Sequence, residues 1–236
     1  SIDFSYLKKL RKLIVEGNFP WFTSKRSKDE DFHSNVEEII LYCADPQDSI
    51  RLEPPLIFDF SPLKDFKKLR SLDIAIAYDD DFNELSHHSD SKKRNEFNYS
   101  ELSNLTSLES LSIDGPVKNL DFLSGMAKLR ELCLTSFWCH DVFLPKLNTL
   151  SNFSKLNIEY GVELLGEFSK NANKFPNLEE INLNLGDFCW PINHKWFLPF
   201  QNIRIITISG RESEYFSIEG DKTYLKRWLI NVGCAE

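Results

Sequence analysis

Apolar residues recur along the chain in one repeated pattern, apolar-x-x-apolar-x-x-apolar-x-apolar. The final alternating pair predicts a short β-strand with one buried face, because side chains of a strand point to opposite sides in turn. The spacing of three before it is typical of a helical or 3₁₀ turn that packs inward. These pairs predict eight strands, beginning at Leu13, Ile39, Leu72, Leu111, Leu132, Leu156, Ile181 and Ile206.

The copies of this pattern are regularly spaced in the second half of the chain. From Leu111 to Ile206, successive pairs lie 21 to 25 residues apart, which is the length of a leucine-rich repeat. One such repeat cannot bury its apolar side alone, whereas stacked repeats share a continuous core. We therefore predict an α/β leucine-rich-repeat solenoid of about eight repeats. Its curved, parallel sheet would form the concave face, and helical, 3₁₀ or irregular segments would form the convex side.

The pattern resembles the leucine-rich-repeat family over about residues 4–211. The stretch 105–134 resembles the short repeats of SDS22-like and internalin-like members, and the other units are closer to the irregular repeats of F-box substrate receptors. The family's asparagine after the strand is present only as Asn18, so we expect no ladder of such asparagines. The resemblance implies a protein-binding domain, with the substrate-recognition module of a ubiquitin ligase as its specific form.

The remaining segments divide the chain. Polar residues dominate two insertions into the solenoid, at 19–35 and 79–98. Residues 212–236 are predicted to form a C-terminal cap of one strand and an amphipathic helix, because end repeats expose core. The first repeat has no comparable cap. We therefore expect either that the chain is a fragment, or that another segment or a subunit of a multi-subunit complex covers this end.

Composition narrows the choice of partner. The net charge is −8 without a long basic stripe, which argues against direct nucleic-acid binding. No apolar run reaches the roughly 18 residues of a membrane span, so we expect no membrane contact. The five cysteines are irregularly spaced and form no CxxC pair, which favours a reducing intracellular compartment, cytoplasm or nucleus.

Catalytic and cofactor motifs are missing from the sequence. It contains no GxGxxG, P-loop or HExxH motif. Cys133, Cys139 and His140 are close in sequence, but the first falls on a predicted strand and the others in the following loop, so we expect no metal site there. We therefore predict a protein that is not an enzyme and needs no cofactor.

The residues beside and between each apolar pair are predicted to point to the concave face. Of these positions seven are acidic and two are basic. Such carboxylates would steer a basic protein partner; alternatively, they only keep the sheet soluble. Aromatic residues next to strands are either interface contacts or core filler. The predicted partner-binding residues are Glu16, Glu38, Tyr42, Asp73, Asp114, Glu131, Glu159, Glu180 and Trp138.

The sequence thus predicts a non-catalytic protein–protein interaction domain that uses its acidic concave face and adjoining loops. Three other roles remain open. The first is a structural scaffold of a larger assembly. The second is a phosphatase-regulatory subunit, as the SDS22-like stretch would imply, and the third is a neutralising partner of a basic toxin.

Overall fold

One nine-stranded β-sheet organises the protein, with its strands in chain order. The computed structural model describes residues 9–16, 35–43, 60–76, 99–115, 117, 119–135, 144, 147–186, 192–210 and 216–219. Strands β1 to β8 run parallel, and β9 pairs antiparallel with β8. Their bounds are β1 Lys12–Glu16, β2 Glu38–Cys43, β3 Ser71–Ile76, β4 Ser110–Asp114, β5 Glu131–Thr135, β6 Lys155–Glu159, β7 Glu180–Asn184, β8 Ile205–Ser209 and β9 Phe216–Glu219.

The strands pair in the register that the apolar pattern predicts. Leu13 lies opposite Ile39, Ile39 opposite Leu72, and the alignment continues without a shift to Ile206. Because side chains alternate along a strand, this register places the apolar pairs of all eight strands on one face. The predicted leucine-rich-repeat solenoid with eight parallel strands is confirmed.

Short helical segments form the wall opposite the sheet. In the described part of the chain they are one α-helix, α1 (Val162–Lys170), and five 3₁₀ helices, in agreement with the apolar spacing of three. The 3₁₀ helices of successive repeats pack closely. A Cβ atom at Gly125 would lie 1.9 Å from the carbonyl oxygen of Ser103 in the preceding helix, so only glycine fits there. The 3₁₀ helices are Ser61–Asp65, Tyr99–Asn104, Asp121–Gly125, Ala172–Lys174 and His194–Trp196.

The core lies between the sheet and this wall and runs through the repeats as one cluster, from Val15 to Ile206. Leu111, Leu132 and Leu156 are fully buried. Burial of apolar surface stabilises a protein by about 25 cal/mol per Å². Each repeat buries its apolar side only when the neighbouring repeats are in place. The strands are therefore held by contacts between repeats.

Asparagines connect repeats, but at a different position from the one expected. Asn18 lies outside the described residues. Three other asparagines, each just before the second conserved apolar residue of its repeat, donate a side-chain amide hydrogen bond to a carbonyl of the preceding repeat. This satisfies backbone acceptors that would otherwise face water at the turn. The bonds are Asn152 to Ala127 (2.8 Å), Asn177 to Ser151 (2.6 Å) and Asn202 to Pro176 (2.6 Å).

A row of residues, here called the entry row, precedes the strands, and its charges alternate except at Ser154. Each member after the first donates its backbone N–H to the carbonyl of the previous member. Opposite charges therefore stand side by side, as in the ion pairs of Arg11 with Glu37, Arg70 with Glu109, and Arg204 with Glu179. The entry row reads Arg11, Glu37, Arg70, Glu109, Arg130, Ser154, Glu179 and Arg204.

The predicted division of the chain stays a prediction. Strand β9 falls in the segment predicted to be a cap, while the helix predicted after it lies outside the described residues. Both insertions, 19–35 and 79–98, lie outside the described residues as well, apart from residue 35.

Candidate functional site

Three rows of side chains point away from the core across β1–β8, and we call them the open sheet face. In strands such as β4 and β6, the apolar pair is buried while the residues beside and between it are accessible. The first row is Lys12, Glu38, Ser71, Ser110, Glu131, Lys155, Glu180 and Ile205; the middle row is Ile14, Ile40, Asp73, Ser112, Cys133, Asn157, Asn182 and Thr207; the last row is Glu16, Tyr42, Ala75, Asp114, Thr135, Glu159, Asn184 and Ser209.

Lysines neutralise part of the acidic charge in the first row. Lys12 Nζ lies 2.7 Å from Glu38 Oε1. Lys155 Nζ stands between two neighbouring strands, 3.5 Å from Glu131 Oε1 and 3.3 Å from Glu180 Oε1. Burial lowers the pKa of Lys155, but its hydrogen bond to Glu180 and the charges of both carboxylates outweigh burial, so its pKa is raised. Three of the seven acidic residues are therefore paired.

Amide side chains extend this pairing into the middle row. Asn157 Nδ2 donates to Glu131 Oε1 at 2.9 Å. Asn182 Nδ2 donates to Asn157 Oδ1 and to Glu180 Oε1, both at 2.7 Å. Together with Lys155 these four residues form a connected set on β5–β7, the Lys155 network. Its polar groups are occupied by one another, so they are less available to a partner.

Three other carboxylates have no such compensation, and we call them the acidic cluster: Asp73, Asp114 and Glu159. No ion pair joins them to a cation in the part of the chain that the structure describes. Burial raises the pKa of Asp114, and the negative charges of Glu159 and Asp73 raise it further. Neighbouring negative charges favour the protonated form of a carboxyl group. A cation bound at the acidic cluster would therefore relieve the repulsion.

Cys133 lies among these carboxylates, in the middle row on β5. Burial raises the pKa of its thiol and Glu159 raises it further, whereas hydrogen bonds with Thr135 and Ser112 act in the opposite direction. The thiol therefore stays protonated at neutral pH and is a poor nucleophile. Its expected separation from Cys139 and His140 remains a prediction, because both residues lie outside the described part.

Exposed apolar side chains occupy the other end of the open sheet face. Ile14 is 51% exposed and Tyr42 is 41% exposed. Ile40 lies beside Ile14 on the neighbouring strand and is half-buried. We call Ile14, Ile40 and Tyr42 the apolar patch. Contiguous exposed apolar groups are a common mark of interaction sites.

The structure places eight of the nine predicted partner-binding residues on the open sheet face; Trp138 lies outside the described residues. It also divides the eight. Glu38, Glu131 and Glu180 are ion-paired. Tyr42 belongs to the apolar patch. The remaining carboxylates have no described ionic partner: Glu16, Asp73, Asp114 and Glu159. The prediction omitted Ile14 and Ile40, although their places in the middle row could have been read from the pattern.

The described residues form neither a metal site nor a membrane-spanning helix. No group of three or more His, Cys, Asp or Glu side chains within the described ranges has an arrangement that could hold a metal ion. None of the helices described here is both long and apolar enough to span a membrane.

Comparisons with known proteins find a distant structural similarity. No protein-family model and no curated protein matches it. Among solved structures it is similar to an internalin (inlF) from Listeria monocytogenes, with 15% identity and a TM-score of 0.34. The match covers 89% of this chain and 65% of the internalin chain, so this chain spans less than two thirds of that length. The class of this protein, a leucine-rich-repeat solenoid, follows from its own sheet and repeats.

Proposed function

We propose that this chain is a non-catalytic protein-interaction domain whose open sheet face binds a basic protein. One observation carries the proposal: the acidic cluster has no described cationic partner and lies beside the exposed apolar patch. Exposed apolar groups supply binding energy when they are buried by a partner, and unpaired carboxylates select a partner of opposite charge.

Electrostatics favour the same conclusion through the rate of association. Negative potential on a sheet face increases the encounter rate with a basic surface, and salt reduces this effect. In the free protein, Asp73 and Glu159 each repel Asp114. A lysine or arginine from a partner would convert this repulsion into attraction, so the gain on binding includes the relief of a cost that the free domain bears.

The role of such a complex is a narrower proposal. The irregular repeats resemble those of F-box substrate receptors, which supports a substrate-recognition module of a ubiquitin ligase. The alternatives are a scaffold subunit in a larger assembly, a phosphatase-regulatory subunit and a toxin-neutralising protein. We place the domain inside the cell because its five cysteines are odd in number and irregularly spaced, unlike the paired cysteines of a disulfide-bonded secreted protein. Identification of the bound proteins separates these roles.

The test compares proteins captured by three versions of the tagged chain from native lysate, at about 0.05 M and about 0.5 M salt. The first is the wild type, and the second carries Asp73→Asn, Asp114→Asn and Glu159→Gln. The third is a matched control with the same charge change on the opposite wall, in the 3₁₀ helices and α1. The control substitutions are Asp65→Asn, Glu101→Gln and Glu163→Gln.

We expect the wild type and the control to retain the same basic proteins at low salt, and the acidic-cluster variant to lose them. With one purified partner, the loss should be about tenfold in Kd at low salt, since each exposed charge contributes less than about 1 kcal/mol. Equal retention by all three versions would contradict the proposal.

A further inference from the structure

The apolar patch and the acidic cluster occupy neighbouring strands of the open sheet face. Ile40 on β2 stands directly beside Asp73 on β3. In the last row, Tyr42 on β2 is followed by Ala75 on β3 and then by Asp114 on β4. Neighbouring strands lie about 4.8 Å apart, so Tyr42 and Asp114 are separated by roughly 10 Å across the sheet. The two features therefore form one composite surface.

We propose that this surface binds an extended peptide segment of the partner that crosses the strands and combines an apolar side chain with a lysine or arginine. The apolar side chain lies on the apolar patch, and the cation lies at the acidic cluster. An extended chain advances about 3.3 Å per residue, so roughly 10 Å corresponds to about three residues. This inference rests on the proposed function and specifies the chemistry of its partner.

Small side chains between the carboxylates make room for the cation. Ser112 and Cys133 follow Asp73 in the middle row, and Thr135 lies between Asp114 and Glu159 in the last row. The cluster is therefore a shallow floor of small residues with carboxylates around it. The long aliphatic stem of lysine or arginine can lie on such a floor while its charged end reaches the carboxylates.

The apolar patch supplies what charge alone cannot. Ile14 and Tyr42 are the two large apolar side chains that are exposed among the described residues. Tyrosine is favoured at binding surfaces because its ring buries apolar area while its hydroxyl remains hydrogen-bonded. A purely basic segment would leave this area in water, so the surface discriminates in favour of a segment with both features.

The Lys155 network limits the segment at the other end. Its carboxylates are already paired, and Lys155 itself carries a positive charge with a raised pKa. A second basic side chain placed over the first row of β6 would meet a like charge. We therefore expect the segment to contact β1–β4 and the last row as far as Glu159.

The probe for this inference is a displayed library of random 12-residue segments, selected on the whole chain at about 0.05 M salt. We expect enriched segments to place Phe, Trp, Leu or Ile two to four residues from Lys or Arg. A synthetic peptide of the most enriched segment is then titrated against variants of the chain. Tyr42→Ser should weaken its binding about tenfold. Asp114→Asn should weaken it about threefold, since one exposed charge contributes less than about 1 kcal/mol.

The matched control for the apolar patch is Ile205→Ser, which changes an apolar residue of the open sheet face at its far end, on β8. The control should bind the peptide within about twofold of the wild type. Each variant must first unfold cooperatively and be fully folded at the assay temperature, so that misfolding is separated from lost contact.

Several outcomes would overturn the inference. Enriched segments that are basic without an apolar residue, or that bind Tyr42→Ser normally, would refute it and leave the proposed function standing. The same holds if no segment is enriched although the lysate experiment yields basic partners. Enriched segments that bind the acidic-cluster variant normally would refute the inference, and equal capture in the lysate experiment would refute the proposed function separately.

Discussion

Strands β1–β4 and strands β5–β7 present the same three rows of side chains on the open sheet face, yet they differ in how those side chains are used. On β5–β7 the Lys155 network joins carboxylates, amides and an ammonium group at 2.7–3.5 Å. On β1–β4, Ile14 and Tyr42 are exposed, and Asp73 and Asp114 have no ionic partner in the described part. The backbone register is the same in both regions, so the difference lies in the side chains alone.

This difference separates stability from recognition. Groups that satisfy one another contribute to folding and offer little to a partner, whereas exposed apolar or mutually repelling groups contribute little to folding or oppose it. Substitutions in the Lys155 network should therefore lower stability and leave binding intact. Substitutions in the apolar patch and the acidic cluster should do the reverse.

Among substitutions on the open sheet face, the largest effect on stability is expected for Asn157→Ala in the Lys155 network. The change removes the donor to Glu131 and the acceptor for Asn182. At about 1 kcal/mol for each net hydrogen bond, the free energy of unfolding should fall by about 1–2 kcal/mol, measured by urea unfolding. The control Ser112→Ala, in the same row on β4, loses a hydrogen bond to the weakly accepting thiol of Cys133 and should change less. An equal loss in both variants would remove the distinction between the two regions.

A smaller loss is expected for Lys155→Met, which keeps the aliphatic stem and removes the charge between Glu131 and Glu180. For a half-exposed network the free energy of unfolding should fall by about 0.5–1 kcal/mol at pH 7. The folded-state pKa of Lys155 is raised above its ordinary 10.5, so its stabilisation is complete below that value and disappears as pH rises through the raised value.

The control for this prediction is Lys170→Met at the end of α1. Lys170 is 71% exposed and, among the described residues, forms one ion pair, with Glu167, so its loss should be smaller than that of Lys155. A difference between wild type and Lys155→Met that stays constant as pH rises above 10.5 would contradict an electrostatic origin.

A small gain in stability is expected for Asp114→Asn. Burial and the charges of Glu159 and Asp73 raise the folded-state pKa of Asp114 above its ordinary 3.8, so the ionised side chain lowers the stability of the folded protein at neutral pH. That cost declines as pH falls through the raised pKa and is absent below the ordinary one. The Tm of the variant should exceed that of the wild type by about 1 °C at pH 7, and the gain should vanish near pH 3. A lower Tm at pH 7 would show that Asp114 stabilises the fold; Asp65→Asn is the control.

The smallest effect on stability is expected for Ile14→Ser in the apolar patch. Its side chain is half exposed in the free protein, so the free energy of unfolding should change by less than about 0.5 kcal/mol. Val15→Ser, one residue along the same strand and 9% exposed, should cost about 2 kcal/mol because it places a hydroxyl in the core. Thermal unfolding measures both, and similar losses would mean that Ile14 is packed in the folded state.

The sequence was sufficient for the strands and their register. The pair that begins at Leu132 must bury two side chains on one face, and a shift of one residue would expose both. The same constraint assigns Asp114 and Glu159 to the open sheet face. Local pattern therefore determined which side chains point outward.

The pairing of those side chains was not predicted, because it depends on neighbours in other repeats. Lys155 lies between Glu131 and Glu180 only after three strands are aligned. A count of charges on the face treats all seven carboxylates alike, although the aligned rows contain the information that separates them. The asparagines at 152, 177 and 202 were missed for a similar reason, since their hydrogen bonds join one repeat to the one before it.

The entry row has a consequence for how such a protein can change its length during evolution. Deletion of the repeat that carries Glu109 would bring Arg70 and Arg130 together, and deletion of the one that carries Arg70 would bring Glu37 and Glu109 together. Deletion of both repeats would instead place Glu37 beside Arg130 and preserve the alternation. Over this stretch, loss or duplication of a pair of repeats keeps opposite charges side by side. Loss or duplication of a single repeat places like charges next to each other.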